Sequence, residues 1–179
     1  MFNKFSHQII TSKSALFPER EARIFQFLRD HPVGVLSMVT PENAPHGSVI
    51  YFALGQDQTI GFITKRLTRK YRNLSSDNQV MLTCFEATTQ TTVNILGHAK
   101  ETRDAFEVNA IAGAVMGASL KTTKAGIPPI SKLKAGAFTA FKITPTSLHM
   151  AVYGRSERGG HGDLLQSVES FELQNVSSA

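Results

Sequence analysis

Residues 60–72 read Ile60-Gly61-Phe62-Ile63-Thr64-Lys65-Arg66-Leu67-Thr68-Arg69-Lys70-Tyr71-Arg72. An apolar, strand-like run passes here directly into a basic segment, residues 65–72, in which five basic residues fall within eight positions and no acid interrupts them. Thr68 can cap a short helix that continues through Leu74, so that Arg69 and Lys70 occupy its first turn. Since the helix dipole already concentrates positive charge there, such a start is unfavourable until an anion docks.

The basic segment therefore has two interpretations. Backbone N–H groups at a helix start and cationic side chains form a recurrent phosphate-binding arrangement, which here would lie at the end of a strand. The alternative is a solvated basic turn, because charge runs usually just face water. Phosphate binding is the hypothesis that the structure can test.

Composition favours one domain, residues 1–179. The chain has 179 residues and 19.6 kDa, enough to bury a full core. No apolar run approaches the roughly 20 residues that a membrane span needs, and Met1–Ser14 lacks the apolar centre of a secretory signal. The single cysteine, Cys84, has no disulfide partner within the chain. We expect a soluble, cytoplasmic protein with an N-terminal arm (1–17), a folded unit (18–153) and a C-terminal tail (154–179).

The net charge restricts the choice of ligand. A formal charge of +5 and a pI near 9.5 suit nucleic acids, phosphorylated metabolites or anionic surfaces. The positive excess is concentrated in the basic segment and at Lys121, Lys124, Lys132 and Lys134. Localised charge favours a discrete site over a general coating of the surface.

Changes in hydrophobic period predict a chain of helices and strands. Helices are expected over Pro18–His31, Thr68–Leu74 and Ala105–Leu120. Strands are expected over Val33–Thr40, His46–Leu54, Gln58–Thr64, Val80–Glu86, Thr91–Thr102, Ala137–Thr144 and Ser147–Tyr153. Gly97 predicts a bulge, Pro145 divides the last two strands, and Leu164–Leu173 suits a short helix. Short strands joined by tight turns favour a mainly β fold, an antiparallel β-barrel of six to seven strands with added helices.

Familiar catalytic motifs are missing. The chain contains no G-x-G-x-x-G, P-loop or G-x-S-x-G motif. Ser131-Lys132-Leu133-Lys134 matches S-x-x-K but lacks the companion motifs of that enzyme class. The histidines of the chain are not spaced i,i+4 and do not lie near several cysteines, two patterns that are common among metal ligands. They are His7, His31, His46, His98, His149 and His161. No metal site is predicted, and no residue stands out as a general base.

The order of the apolar segments is more informative than any single motif. A helix is followed by Val33-Gly34-Val35-Leu36-Ser37-Met38-Val39, Ala44-Pro45-His46-Gly47-Ser48-Val49-Ile50-Tyr51-Phe52, Ile60-Gly61-Phe62-Ile63-Thr64 and Lys70-Tyr71-Arg72-Asn73-Leu74. Later segments are Val80-Met81-Leu82, Thr91-Thr92-Val93-Asn94-Ile95-Leu96-Gly97-His98-Ala99 and Phe141-Lys142-Ile143-Thr144-Pro145. Over roughly residues 18–153 this order resembles the pyridoxamine 5'-phosphate oxidase-like, FMN-binding split-barrel family.

The resemblance implies a homodimer that holds FMN in grooves between its subunits and acts on a small-molecule substrate. It implies that Ser48, Val49, Ile50 and Tyr51 line the flavin ring, that Phe62, Ile63 and Thr64 supply backbone and hydroxyl contacts, and that Lys65, Arg69 and Lys70 bind the phosphate. Thr92 stands where related oxidases carry a glutamine that touches the flavin edge, and a threonine reaches less far. His46 either reaches the flavin or substrate or is a surface residue near a turn.

The chain also departs from this family. It has no Trp and no Arg-x-His element near its C-terminus, the single match being Arg29-Asp30-His31, which argues against oxidation of pyridoxamine phosphate itself. An FMN-dependent oxidoreductase is the first hypothesis. Alternatives of the same fold are a deazaflavin-dependent reductase and a haem-binding or haem-utilising protein with His149 or His161 at the haem. The non-enzymatic alternative, a basic nucleic-acid-binding module, has only Tyr71 as a stacking aromatic near the basic segment.

Overall fold

The computed structural model describes residues 17–122, 138–153 and 165–172 of the chain. Within these residues lie the helices α1 (Phe17–Asp30), α2 (Arg69–Ser76) and α3 (Ala105–Thr122). The strands are β1 (Val33–Val39), β2 (Pro45–Tyr51), β3 (Ala53–Leu54), β4 (Ile60–Thr64), β5 (Gln79–Glu86), β6 (Thr91–Thr102), β7 (Thr139–Tyr153) and β8 (Leu165–Glu172). The three predicted helices are thus present, each within about two residues of its expected bounds.

The described strands form one antiparallel sheet in the order β2-β1-β5-β6-β7-β4-β3, and β8 pairs with the C-terminal half of β7. β2 and β3 lie at opposite ends of this order, although Phe52 alone separates them in sequence. Because one residue spans less than 4 Å, the sheet has to curl until its two ends meet. Phe52 is completely buried at that seam. The prediction of a mainly β, antiparallel split barrel with added helices is confirmed.

The core lies on the concave face of the curled sheet. Leu36, Leu82, Ile95 and Leu148 are cross-strand neighbours in one continuous row over β1, β5, β6 and β7, and all four are fully buried. Such side chains contribute roughly 1.5–3 kcal/mol each when buried. Alternate residues of the same strands point to the convex face, as the period of a β-strand requires. α1 lies against β3 and β7 through its buried face.

The bulge expected at Gly97 is confirmed. The β6–β7 register shifts between Leu96 and Gly97, and Gly97 stands opposite Pro145. A proline has no N–H to donate to the ladder, so an irregularity is where a strand tolerates it. A Cβ at position 97 would also overlap the carbonyl oxygen of Thr144. The predicted break at Pro145 is wrong, because β7 continues through it from Thr139 to Tyr153.

The short helix expected over Leu164–Leu173 is also wrong. Residues Leu165–Glu172 form β8, which is antiparallel to β7. Leu165, Val168 and Phe171 are spaced every third residue, a period closer to that of a helix than to that of a strand. The free edge of β7 supplies backbone partners that override this local preference.

Several predictions concern residues outside the described ranges. They are the arm over residues 1–16, Lys124, Lys132, Lys134, the S-x-x-K match at Ser131, His7, His161 and most of the tail. Among the described helices, none combines the length and apolar character required to cross a bilayer.

Candidate functional site

The two ends of the curled sheet face each other across a split. β2 is hydrogen-bonded only to β1, and it approaches β4 without a ladder between them. Following the antiparallel pairs around the sheet, β2 and β4 run in opposite directions. The start of β2 and the end of β4 therefore lie at the same end of the split, where the basic segment and α2 follow.

The start of α2 is built around the Thr68 hydroxyl. This hydroxyl donates to the Lys65 carbonyl at 2.7 Å and accepts the Tyr71 N–H at 3.2 Å. Since its one proton is used, the Thr64 hydroxyl, at 3.1 Å, is the donor in their mutual contact. Thr68 is thus the N-cap that the sequence predicted. The N–H groups of Arg69 and Lys70 lie ahead of the capped Tyr71 N–H, as at any helix start.

Glu101 of β6 holds one cation of the basic segment in place. Its carboxylate accepts from Arg66 at 3.2 Å, from the Tyr71 hydroxyl at 3.3 Å and from the Thr139 hydroxyl at 2.7 Å. Burial works to raise the pKa of Glu101, but the three hydrogen bonds outweigh it and hold the pKa below its ordinary value. Arg66 therefore has a structural role, and no local sequence pattern signals it because the partner lies on a distant strand.

The three predicted phosphate-binding cations have no such partner in the described part of the chain. No carboxylate of the described residues lies within ion-pair distance of Lys65, Arg69 or Lys70. Lys65 and Arg69 are exposed, whereas Lys70 is partly buried, with its Nζ 5.9 Å from the centre of the Phe62 ring. Burial without a counter-ion lowers the pKa of Lys70 to about 8. The described structure leaves this ammonium group without a compensating negative charge.

A second polar pair lies beside these cations. Asn73 of α2 is 1% exposed, and its Nδ2 lies 3.1 Å from Nδ1 of His46 at the start of β2. The Oδ1 atom of Asn73 is buried without a hydrogen-bond partner among the described residues. Asn73 belonged to a quoted motif but was not a predicted site residue. In the sequence, the one feature that could have pointed to Asn73 is its position within the short helix predicted after the basic residues.

The predicted ring-binding residues divide between the two faces of the sheet. On β2, Ile50 is buried in the core and Ser48 points to the same side, whereas Val49 is 64% exposed on the convex face. Tyr51 shares the convex face with Val49 because strand residues alternate. Thr92 is also on the convex face, paired with Phe85 and Ala151.

On β4 the predicted contacts are less accessible. The side chains of Phe62 and Thr64 are buried. Ile63 points to the opposite side, the side on which Ile111 of α3 packs against Gly61. The structure therefore brings together Thr64, Lys65, Arg69 and Lys70 where β4 passes into α2. Ser48 lies on the concave side of β2, whereas Val49, Tyr51 and Thr92 lie on the convex face.

The backbone of β2 adds donors and acceptors at the split. The Thr40 N–H donates to the Ala44 carbonyl and the Phe52 N–H donates to the Pro32 carbonyl. These two bonds show which cross-strand pairs of β1 and β2 are the hydrogen-bonded ones. In an antiparallel ladder the hydrogen-bonded pairs alternate. The main-chain groups of Gly47 and Val49 consequently point away from β1 and toward the split.

The convex face carries exposed apolar side chains. We call Val35, Val49, Met81, Phe85 and Leu96 the convex apolar patch; their exposed fractions range from 38% to 64%. Thr83 and Asn94 cross the same face and are joined by a 2.8 Å hydrogen bond. An apolar surface of this kind on a sheet usually marks an interaction site.

Two grooves lie near the site but do not contain its cations. One, of about 530 Å³, opens beside Ser37, Met81, Leu96 and His98 at one edge of the convex apolar patch. The other, of about 610 Å³, lies between α2 and β6 beside Tyr71, Asp77 and Glu101. Neither groove is lined by Lys65, Arg69 or Lys70, where the unpaired charge lies.

A different lysine is fully compensated on the far side of β4. Lys142 of β7 contacts Glu107 of α3 at 2.9 Å and Asp57 at 3.3 Å. The hydrogen bond to Glu107 is the main cause of the raised pKa of Lys142, with Asp57 adding to it. The Glu107 carboxylate also accepts from Thr102, and this bond is the first cause of its lowered pKa.

Comparisons with known proteins agree with this architecture. The family model described as pyridoxamine 5'-phosphate oxidase matches residues 21–150. No curated protein sequence matches the chain. Similar solved structures include a conserved hypothetical protein of Mycobacterium tuberculosis, with 18% identity, a TM-score of 0.64, and 79% of this chain and 92% of that chain covered.

Two further structures are similar. A haem-binding protein of Mycobacterium smegmatis has 17% identity and a TM-score of 0.60, with 85% of this chain and 56% of that chain covered. An F420 reductase has 17% identity and a TM-score of 0.54, with 69% of this chain and 94% of that chain covered. At these identities the structural similarity shows the fold alone.

Proposed function

This chain belongs to the pyridoxamine 5'-phosphate oxidase family, and from that premise we propose that it is an FMN-binding flavoprotein, an oxidoreductase that acts on a small molecule as a homodimer. Proteins of this fold include a haem-binding protein and an F420 reductase, so the cofactor has to be argued from the site. One observation carries the choice of a phosphorylated ligand: Lys65, Arg69 and Lys70 surround a helix start without a carboxylate among the described residues.

The phosphate of FMN fits the chemistry of this end of the split. A dianionic phosphate accepts several charge-assisted hydrogen bonds, and the helix start offers N–H groups beside the cations. Arg69 can hold two phosphate oxygens at once, whereas Lys70 acts as a point charge. Lys70 would gain most, since its pKa is lowered to about 8 by burial alone.

The rest of the split suits an isoalloxazine ring. A flavin site needs an apolar wall and a few aimed polar groups. Here Ser48 and the main-chain groups of Gly47 and Val49 supply hydrogen bonds on the β2 side, and Thr64 ends β4 on the other. When bound, FMN would supply the two-electron chemistry; the described residues position it and set the polarity around it. No described residue is assigned as a general base.

A homodimer explains why the site residues lie on two faces. Val49, Tyr51 and Thr92 lie on the convex face, away from the cations of their own chain. A second copy docked on the convex apolar patch would bring its own convex residues to a ligand in the split. It would also cover Val35, Val49, Met81, Phe85 and Leu96.

The first test is an absorbance spectrum from 300 to 700 nm of the purified protein, before and after FMN is added and the excess removed. Retained flavin bands near one per subunit support the proposal. A Soret band would replace it by haem binding. A colourless protein that ignores FMN would leave the deazaflavin and nucleic-acid hypotheses.

The phosphate site is tested by the double variant Arg69→Ala, Lys70→Ala. We expect it to fold and to lose most FMN retention. Its control is Lys100→Ala, Lys121→Ala, which removes the same charge at two exposed positions and should retain FMN. A yellow Arg69→Ala, Lys70→Ala protein with the wild-type flavin ratio would refute the phosphate assignment.

A further inference from the structure

The unpaired amide oxygen of Asn73 fixes how the amide is oriented. Its Nδ2 faces Nδ1 of His46 at 3.1 Å, and its Oδ1 has no partner in the part of the chain that the structure describes. With the amide turned over, Oδ1 would face His46 and both N–H groups of Nδ2 would be buried without an acceptor. Orphaned buried N–H groups are rarer in proteins than under-satisfied carbonyl oxygens. The Nδ2-to-Nδ1 orientation is therefore the favoured one.

This orientation also fixes the tautomer of His46. If Asn73 Nδ2 donates, Nδ1 of His46 must accept and cannot carry the proton of a neutral imidazole. The proton then lies on Nε2. No partner of Nε2 is found among the described residues, and the ring is partly exposed. His46 thus presents an N–H donor that the fold itself does not use.

The His46 donor lies at the cationic end of the split. Lys70 and Asn73 are three residues apart on α2 and so are neighbours on one helix face. His46 contacts Asn73 from the start of β2, which lies at the same end of the split as Thr64 and the start of α2. The donor thus lies beside Asn73, about one helical turn along α2 from Lys70.

We propose that the Nε2–H of His46 donates a hydrogen bond to the ligand's phosphate group, and that Asn73 is the positioning residue that holds the proton on Nε2. This inference rests on the proposed function in that the phosphate is that of FMN. His46 would be a fourth side chain at the phosphate, together with Lys65, Arg69 and Lys70. The buried amide of Asn73 would then serve ligand binding as well as packing.

Two conservative substitutions separate the ring nitrogens. In His46→Gln the amide N–H reaches about as far as Nε2, whereas in His46→Asn it reaches only the Nδ1 position. We expect His46→Asn to weaken FMN binding about tenfold, the value of one hydrogen bond to a charged group, and His46→Gln to recover most of it. Riboflavin, which lacks the phosphate, should bind both variants and the wild type equally, as followed by flavin fluorescence.

Nitrogen NMR of ¹⁵N-histidine-labelled protein reads the tautomer directly, with His46 assigned from its absence in His46→Gln. In the neutral ring we expect Nε2–H, and FMN or inorganic phosphate should shift the Nε2 signal while riboflavin should not. A proton on Nδ1, or FMN binding without a response at His46, would overturn the inference and leave the proposed function standing. A response to phosphate without FMN binding would support the His46 assignment and refute the flavin.

Discussion

Lys70 and Lys142 lie on opposite sides of β4 and have opposite electrostatic environments. Lys142 lies between Glu107 and Asp57, and its pKa is raised. Lys70 is partly buried over the Phe62 ring, and no carboxylate of the described residues pairs with it. Its pKa is lowered to about 8. One charge is compensated within the chain and the other is not. The contrast distinguishes a structural cation from one available to a ligand.

The same contrast occurs within the basic segment. Arg66 is paired with Glu101, whereas Lys65, Arg69 and Lys70 have no such partner among the described residues. Counting basic residues would treat all of them alike. The candidate ligand-binding cations are identified by having no ion pair with a carboxylate of the described residues.

The strongest test exchanges the two lysines for methionine, which keeps most of the aliphatic stem and removes the charge. Lys70→Met should weaken FMN binding about 30- to 100-fold, roughly 2–3 kcal/mol for a charge-assisted contact. It should not lower the free energy of unfolding, since an uncompensated buried charge is removed. Fluorescence titration and urea unfolding measure the two effects.

Lys142→Met is the matched control for this test. It should leave FMN affinity unchanged and lower stability by about 1 kcal/mol, because it leaves Glu107 and Asp57 without their cation. If both variants bound FMN equally well, the distinction between the two lysines would be without functional meaning.

A second test removes the anchor of Arg66. Glu101→Gln replaces a carboxylate that accepts from Arg66, Tyr71 and Thr139, and a neutral amide holds these donors less strongly. We expect a loss of about 1.5 kcal/mol in unfolding free energy with no loss of FMN affinity, because Arg66 is not a ligand group. A large loss of affinity at full stability would show that Glu101 acts on the ligand instead.

The third test uses pH. Lys70 is charged well below its folded pKa of about 8 and loses the charge as the pH rises through that value, so FMN affinity should be highest well below pH 8 and decline as the pH rises through and beyond it. The decline should be roughly eightfold between pH 7.5 and 9, as one lost charge of this pKa requires. Lys70→Arg should remove the decline, because a guanidinium stays protonated.

The stability of the ligand-free protein should respond in the opposite direction. Between about pH 8 and the ordinary lysine value of 10.5, the unfolded chain binds more protons at this position than the folded one. The Lys70 contribution to stability therefore rises with pH in that range. Urea unfolding of the wild type and Lys70→Met at pH 7.5 and 9.5 isolates it, and a pH-independent difference between them would contradict the assigned pKa.

The smallest expected effect is that of Asp57→Asn. Lys142 retains Glu107 at 2.9 Å, and the Asp57 side chain is 57% exposed. Exposed ion pairs contribute little, so stability should fall by less than about 0.5 kcal/mol. A loss larger than that of Lys142→Met would mean that Asp57 acts through the turn at Gly55, where its carboxylate accepts from Thr59.

Local patterns were sufficient for the helices and for the start of the site. The Thr68 cap, the short helix after it and the bulge at Gly97 follow from residue types within a few positions of one another. Strand alternation is equally local: it places Ser48 and Ile50 on one side of β2 and Val49 and Tyr51 on the other. The predicted contact of all four with one flavin ring stays a prediction, and it requires backbone contacts or a second copy of the chain.

Features that depend on distant partners could not be derived in this way. The Arg66–Glu101 pair spans 35 positions and requires the β6–β7 register to be known. The strand β8 exists because β7 offers it an edge, against a three-residue apolar spacing that favours a helix. The pairing of Asn73 with His46 likewise requires α2 to pack at the start of β2. In each case tertiary contacts override or complete the local signal.

The single-residue connection at Phe52 has a consequence for the order of folding. The β1–β2 and β5–β6 hairpins join neighbouring parts of the chain, so they can form early. β3 and β4 can complete the barrel only by pairing with β7, which follows much later in the sequence. Such long-range closure is slow relative to hairpin formation. During synthesis, the segment that leads into the basic residues must therefore wait for the C-terminal part of the chain before its edge is covered.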